Sequence, residues 1–408
     1  MTAITVGPRF PALAHIPKAP VRAAAARAIL RTSVSQLPVR VTFPDGTVWG
    51  AGGSGSPELR VVRPQALFAR LGTDTKIGLG EAYMAGEWTT GPGSDLGDLL
   101  TPFASRLTRL VPEWLQRFRR FVDENLPEQQ RNTTAGSRNN IEAHYDLSNH
   151  LFENFLDPTM SYSAASFERS DESLETAQER KMERILDAAR IGEGSRVLEI
   201  GTGWGALAIR AARRGAQVTT ITLSHEQAQL ARQRIDEAGL SERIDVRIQD
   251  YREVDGSYDA IVSVEMIEAV GEEYWPTYFR TLDDRLAPGG RVAIQAILMP
   301  HQRMLATRRS FGWIQKYVFP GGLIPSVEAI EGIIGEQTRL RLTTQHSLQP
   351  DYARTLRLWR ERFTANWDTI RTDGFDETFR RMWEFYLAYS EAGFASGYLD
   401  VRQLTFTR

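Results

Sequence analysis

Hydrophobic and polar positions change their rhythm along the chain. After residue 180, short apolar runs alternate with stretches of helical spacing. Arg196–Ile200 (RVLEI) reads as a buried strand, Gly205–Arg214 as a helix and Gln217–Thr222 as a strand. His225–Glu237 then reads as a helix, with Leu230 and Ile235 on its apolar side. Arg243–Ile248 and Tyr258–Val264 read as strands, and Glu272–Leu286 as a helix. Pro288-Gly289-Gly290 turns the chain into a last strand, Arg291–Leu298. This alternation predicts an α/β fold with a doubly wound sheet, whose ligands bind beyond the carboxyl ends of the strands.

The earlier part follows another pattern. Val21–Leu30 is helical. Val39–Phe43 and Val48–Trp49 flank Pro44-Asp45-Gly46 and predict a hairpin. Gly50–Pro57 is a glycine-rich loop before the strand-like Leu59–Arg63, and Gly80–Trp88 mixes aromatic with small residues. From Phe103 to Phe121, apolar residues recur at Leu107, Leu110, Trp114 and Phe118. That is helical spacing, broken by Pro112 into two helices. Arg106, Arg109, Arg117, Arg119 and Arg120 lie among these positions. A basic amphipathic pair suits an interfacial membrane anchor, but the pattern favours a helix packed on its own core with solvated arginines. Leu126–Asn140 is polar and rich in turn formers. The expected division is a small α+β domain over 1–125, a linker over 126–140 and an α/β domain over 141–408.

Composition narrows the classes. The chain has 408 residues, 42% of them hydrophobic and 25% charged, which excludes a largely disordered chain. It has no cysteine, which removes disulfides, thiolate metal sites and cysteine nucleophiles. No apolar run is long enough to span a bilayer. The net charge of −2 is unevenly spread. Residues 1–140 hold 17 Lys and Arg against 11 Asp and Glu, and the remainder holds 32 against 40. A basic first third points to an anionic partner: phospholipid, nucleic acid or the acidic remainder of the chain. The acid-free start before Asp45 is read as a surface arm rather than a targeting peptide.

The chemistry-bearing signal with the most local detail is Glu199-Ile-Gly-Thr-Gly-Trp-Gly205, between a strand and a helix. Glycines there let a backbone approach a ligand. Gly201, Gly203 and Ala206 also satisfy the dinucleotide spacing, which leaves a nicotinamide oxidoreductase open. Glu226, near the distance for a ribose carboxylate, falls in a helix's first turn and argues against it. Glu199, two residues before the first glycine, suits the α-amino group of S-adenosylmethionine. Asp250, past the third strand, is placed to accept from an adenine amino group. His144 and His150 do not make a complete metal site, and no metal is expected. Glu265 and Glu268 share one strand end. There a carboxylate can also cap or salt-bridge the next segment.

Ala143–Asn149 (AHYDLSN), Phe155–Pro158, Ser161–Ser163, the glycine turn and Glu265–Gly271 (EMIEAVG) together resemble the cyclopropane fatty acid synthase family. Trp313–Gly322, Tyr352–Trp359 and Tyr386–Val401 add to the resemblance. It spans essentially the whole chain, and the longer stretches are most similar to the branch that makes 10-methyl, tuberculostearic-type acids through a methylene intermediate. The resemblance implies a Rossmann-like class I methyltransferase sheet with a smaller N-terminal lipid-binding domain. It implies S-adenosylmethionine held by Tyr162, Ser163, Glu199, Gly201, Gly203, Thr222, Leu223, Gln227 and Tyr251. It implies a bicarbonate base held at Glu268, Ile297 and Tyr352. Three positions depart from the family pattern: Ala164 stands for a frequent Cys, Gln295 for a His, and Ala269 for the His after the glutamate. Gln295 forms hydrogen bonds but cannot titrate.

The implied substrate is an unsaturated phospholipid acyl chain of oleoyl type in a bilayer. The implied setting is the inner face of the plasma membrane, reached peripherally from the cytoplasm. A separate reductase for a methylene product and a homodimer are further expected partners; nucleic acid is not. Methylation of an alkene leaves a carbocation, which needs aromatic faces and exclusion of water. Tyr145, Tyr162, Trp204, Trp313 and Tyr317 are candidates. Proton loss then selects between a cyclopropane ring and a methylene branch, and the position of the base biases that choice. A catalytically silent lipid-binding relative is the remaining alternative.

Overall fold

A computed structural model describes residues 6–106 and 148–408. The linker expected over 126–140, most of the basic amphipathic pair and Ala143–Tyr145 lie outside the described residues. The chain forms two compact units, and they do not divide at one point in the sequence. One contains Met1–Glu124, Phe311–Val318 and Leu356–Tyr398; the other contains Asn125–Ser310, Phe319–Thr355 and Leu399–Arg408. The single boundary expected near residue 126 therefore misses two late segments that pack with the N-terminal part. Aromatic-rich helices explain their recruitment. Trp313 and Phe385 close on Gly80, where an added Cβ would stand 2.5 Å from the Trp313 ring.

The first unit carries a four-stranded sheet in the order β2-β1-β3-β4. Its strands are β1 (Arg40–Thr42), β2 (Val48–Trp49), β3 (Glu58–Val61) and β4 (Trp88–Thr90). The expected hairpin is present, with Val41 opposite Trp49. The first helix runs Pro20–Val34, longer at both ends than its apolar core suggests. The small-residue stretch before Trp88 forms the helix Gly78–Met84. The helix Glu377–Ala395 completes the core; its buried Arg381 donates to the carbonyls of Tyr83 and Trp88 at 2.5 and 2.8 Å.

The second unit is a seven-stranded sheet in the order β10-β11-β9-β8-β5-β6-β7. Five strands are parallel: β5 (Arg196–Ile200), β6 (Gln217–Thr222), β7 (Ile244–Ile248), β8 (Tyr258–Val264) and β9 (Leu286–Leu298). The antiparallel β10 (Arg341–Ser347) and β11 (Asp400–Thr407) extend one edge beyond the alternation visible in the sequence. Successive strand residues serve opposite faces, as a pleated strand requires. Leu198, Ile200, Ile261, Val292 and Ile294 join the core under the helices Trp275–Arg285 and Val327–Gln337. Val197, Ala260, Val262 and Ala293 join the core under Leu174–Ala188, Ala206–Arg213 and His225–Glu237. Both faces are covered, which accounts for the unbroken apolar runs in the central strands. The expected helix Glu272–Leu286 is shorter, because Leu286 already opens β9.

Candidate active site

The carboxyl ends of β5, β6 and β8 open into a cleft of about 990 Å³, counting its mouth. Strand β5 ends at Glu199-Ile200, and the next residues turn back in left-handed backbone. Gly201 has φ +100 and Gly203 φ +51. A Cβ on Gly201 would stand 2.7 Å from Met266 Cγ, whereas one on Gly203 would meet no protein atom within 4 Å. The second glycine therefore leaves open space where a ligand can approach the backbone.

The sequence-predicted cofactor residues largely meet here. Tyr162, Ser163, Glu199, Gly201, Gly203, Thr222, Leu223, Gln227 and Tyr251 all line the cleft. Register places Glu199 opposite Thr220, whose hydroxyl donates to Glu199 Oε2 at 2.6 Å. Burial pushes the Glu199 carboxyl up to about 8, so a cationic ligand group beside it gains from restoring its charge. Thr222 and Gln227 are joined at 3.1 Å, beside the helix start capped by Ser224.

Asp250 is the exception. It does not line the cleft; its carboxylate is gripped by Arg252, with Nε at 2.8 Å and Nη2 at 2.6 Å. Its neighbour Gln249 lines the cleft and has a buried Oε1 without a partner in the structure. The aromatic candidates also separate. Tyr162 and Trp204 line the cleft, and both rings pack against Phe152, Tyr162 edge-on and Trp204 tilted. Trp313 and Tyr317 instead belong to the first unit, where Tyr317 donates to Glu81 at 2.7 Å.

Lys181 was not recognised as a cleft residue from the sequence. It lies on the buried side of Leu174–Ala188, where Leu174, Ala177, Gln178, Met182 and Ile185 mark a helical stripe. A lysine inside such a stripe is the signal that marks it. Its Nζ donates to Ser163 Oγ at 2.6 Å, and Gln178 Nε2 donates to the Ser163 carbonyl at 2.8 Å. Burial pulls Lys181 down to about 8, against the opposing charges of Glu265, Asp157 and Glu199.

The residues expected around a base also converge, but on a protein carboxylate. Glu265, at φ +51, follows β8 and lines the cleft. Its Oε1 accepts from the Ala164 amide at 2.9 Å and from Gln295 Nε2 at 2.9 Å. Its Oε2 accepts from the Tyr352 hydroxyl at 2.8 Å. Gln295 is pinned in turn by Gln403, its neighbour across β11, at 3.2 Å. Glu268 accepts from the Ile297 amide, and its buried second oxygen has no partner in the structure. Burial and the nearby Glu265 charge push Glu268 up to about 8. Burial also raises Glu265, but three donors oppose it by favouring the charged form. Burial thus holds both carboxyls above the usual carboxylate range, and three donors act against it at Glu265. Glu265 neither caps a helix nor forms a salt bridge among the described residues.

Residues 132–404 match the family model described as mycolic acid cyclopropane synthetase. The chain is 51% identical to the tuberculostearic acid methyltransferase UfaA1 of Mycobacterium tuberculosis, over 98% of this chain and 95% of that one. It is 34% identical to the cyclopropane-fatty-acyl-phospholipid synthase of Escherichia coli, over 87% and 89% of the two chains. The fold matches the crystal structure of the mycolic acid cyclopropane synthase CmaA1 complexed with SAH and CTAB. That match has a TM-score of 0.61 and 30% identity, covering 70% of this chain and all of that one. The chain therefore belongs to the mycolic acid cyclopropane synthetase family and is an S-adenosylmethionine-dependent lipid methyltransferase.

Proposed function

We propose that this enzyme methylates the cis double bond of an oleoyl-type phospholipid chain and releases a methylene-branched product, which a separate reductase converts to a 10-methyl chain. The observation that carries the reading is one cleft lined by the Glu199 glycine turn, two aromatic faces and the buried Glu265 carboxylate. The near-full-length likeness to a tuberculostearic acid methyltransferase favours the methylene branch over a ring.

S-adenosylmethionine fits this cleft: a buried carboxylate faces its expected amino group, Gly203 leaves room for it, and Gln249 offers an unpartnered acceptor. When bound, it supplies a strongly electrophilic methyl group to the alkene. Glu199 orients the methionine end, while Thr222, Gln227 and Tyr251 line the nucleoside end. Tyr162 and Trp204 present π faces toward a developing cation and keep water from quenching it. Glu265, held by three donors, is the second buried carboxylate lining the cleft beside Glu199.

Bicarbonate does not fit. Of the groups expected to hold it, the Tyr352 hydroxyl is engaged by Glu265 and the Ile297 amide by Glu268, and Glu265 also takes the Ala164 amide and Gln295.

The basic segment bearing Arg106, Arg109, Arg117, Arg119 and Arg120 supports docking to an anionic membrane surface. Purified enzyme with S-adenosylmethionine and oleoyl phospholipid vesicles tests the reading. Recovery of acyl chains one CH₂ heavier, with a terminal methylene, is expected; unaltered oleate would refute it.

A further inference from the structure

We infer that Glu265 is the base of the reaction, so that the enzyme carries its own carboxylate where an external anion was expected. The inference rests on the proposed alkene methylation. It stands on placement: Glu265 lines the same cleft as Glu199 and Tyr162, whereas Glu268, Gln295, Ile297, Ala164 and Tyr352 do not.

Three features set Glu265 apart from a structural strut. It projects from left-handed backbone at φ +51, a conformation costly for a side chain with a Cβ and retained where the surroundings enforce it. Its amide donates to the Gln295 carbonyl at 2.7 Å, which fixes the turn to β9. Its two oxygens receive Ala164, Gln295 and Tyr352, an arrangement that orients a carboxylate and favours its charged form. Gln295 cannot take a proton, so it orients the base without competing for the proton.

The step balances. After methyl transfer, the carbon next to the methylated one bears the positive charge. A hydride moves from the methyl-bearing carbon to that neighbour, bringing the charge beside the new methyl group. A C–H bond of the methyl breaks, its electron pair closes the exocyclic double bond, and the proton passes to a Glu265 oxygen. Glu265 then loses the proton to solvent before the next turnover. One proton is released for each methyl transferred.

The experiment compares wild type, Glu265→Gly and Glu265→Gln on oleoyl phospholipid vesicles, in buffer freed of bicarbonate and then with formate or bicarbonate added. Glycine suits the backbone at this position and leaves a space the size of a small carboxylate. Wild type is expected to turn over equally with and without bicarbonate. Both variants are expected to bind S-adenosylmethionine within about threefold of wild type and to lose at least ~100-fold in kcat, the range of general-base contributions. Formate or bicarbonate is expected to restore Glu265→Gly at least tenfold and to leave Glu265→Gln unchanged. A merely structural role would not give this rescue.

Dependence of wild type on bicarbonate would overturn the inference, as would anion-free turnover by Glu265→Gly. If Glu265→Gly fails to bind cofactor, Glu265→Gln decides alone: near-wild-type kcat would overturn it. Absence of any lipid product from wild type would instead sink the underlying reading of the reaction, and the base assignment with it.

Discussion

Single carboxylates set the chemistry of this cleft, and their surroundings distinguish them. Glu199 has one hydroxyl donor and lies beside Lys181. Replacing it with Ala should weaken S-adenosylmethionine binding by roughly 10- to 150-fold, the equivalent of ~1.5–3 kcal/mol for a hydrogen bond to a charged group. Isothermal titration on the folded variant reads this directly, and an unchanged Kd would remove Glu199 from the site. Glu268 makes a different demand. Its folded value is raised to about 8, so the stability it contributes is fully present below its ordinary value of 4.5 and is lost as pH climbs toward 8. Glu199 behaves alike. The thermal midpoint of the ligand-free protein should fall between about pH 5 and pH 8. Glu268→Gln should flatten that slope, and an equally steep slope in the variant would refute the assignment. The sequence placed Glu199 at a strand end, as found, whereas Glu268 falls in the short helix Ile267–Val270 that follows β8. The sequence left Glu265 open between capping and salt bridging, because neither a positive φ nor a set of donors from distant strands can be read from local spacing. Asp250 failed for a related reason: Arg252, two residues on, captures it.

At the scale of elements, the glycine turn after β5 carries two separable functions. Gly201→Ala places a Cβ 2.7 Å from Met266 Cγ at φ +100, so it should destabilise the fold by ~1–3 kcal/mol and disturb the cleft wall. Gly203→Ala meets no protein atom within 4 Å. It should cost less stability yet still weaken S-adenosylmethionine binding, since its Cβ projects into the ligand's space. Urea unfolding combined with cofactor titration separates the two, and equal effects on both measures would contradict the division. The central strands were legible because both faces are buried and the runs are apolar. β10 and β11 were not. β10 (RLTTQHS) is largely exposed at the sheet edge, and β11 buries the polar Gln403 and Thr405. Neither shows the apolar alternation that marks a strand.

For the whole molecule, the proposed reaction requires reaching an acyl chain that resides in a bilayer. Among the described residues no helix is long and apolar enough to cross a membrane. The excess of arginine between 106 and 120 offers an electrostatic route to an anionic surface. Binding to anionic vesicles should fall with added salt and with combined Arg→Gln changes at 106, 109, 117, 119 and 120. Equal binding to neutral vesicles would count against that route. Two units were legible in the sequence, but their boundary was not linear. Nothing in local composition shows that Phe311–Val318 and Leu356–Tyr398 pack with an N-terminal sheet. Purified enzyme is given S-adenosylmethionine and oleoyl phospholipid, and the recovered acyl chains are analysed by mass and proton NMR, since ring and branched products are isomers. A gain of one CH₂ unit with vinylic methylene protons is the expected result. Cyclopropane protons would contradict the methylene product, and no gain in mass would contradict methyl transfer altogether.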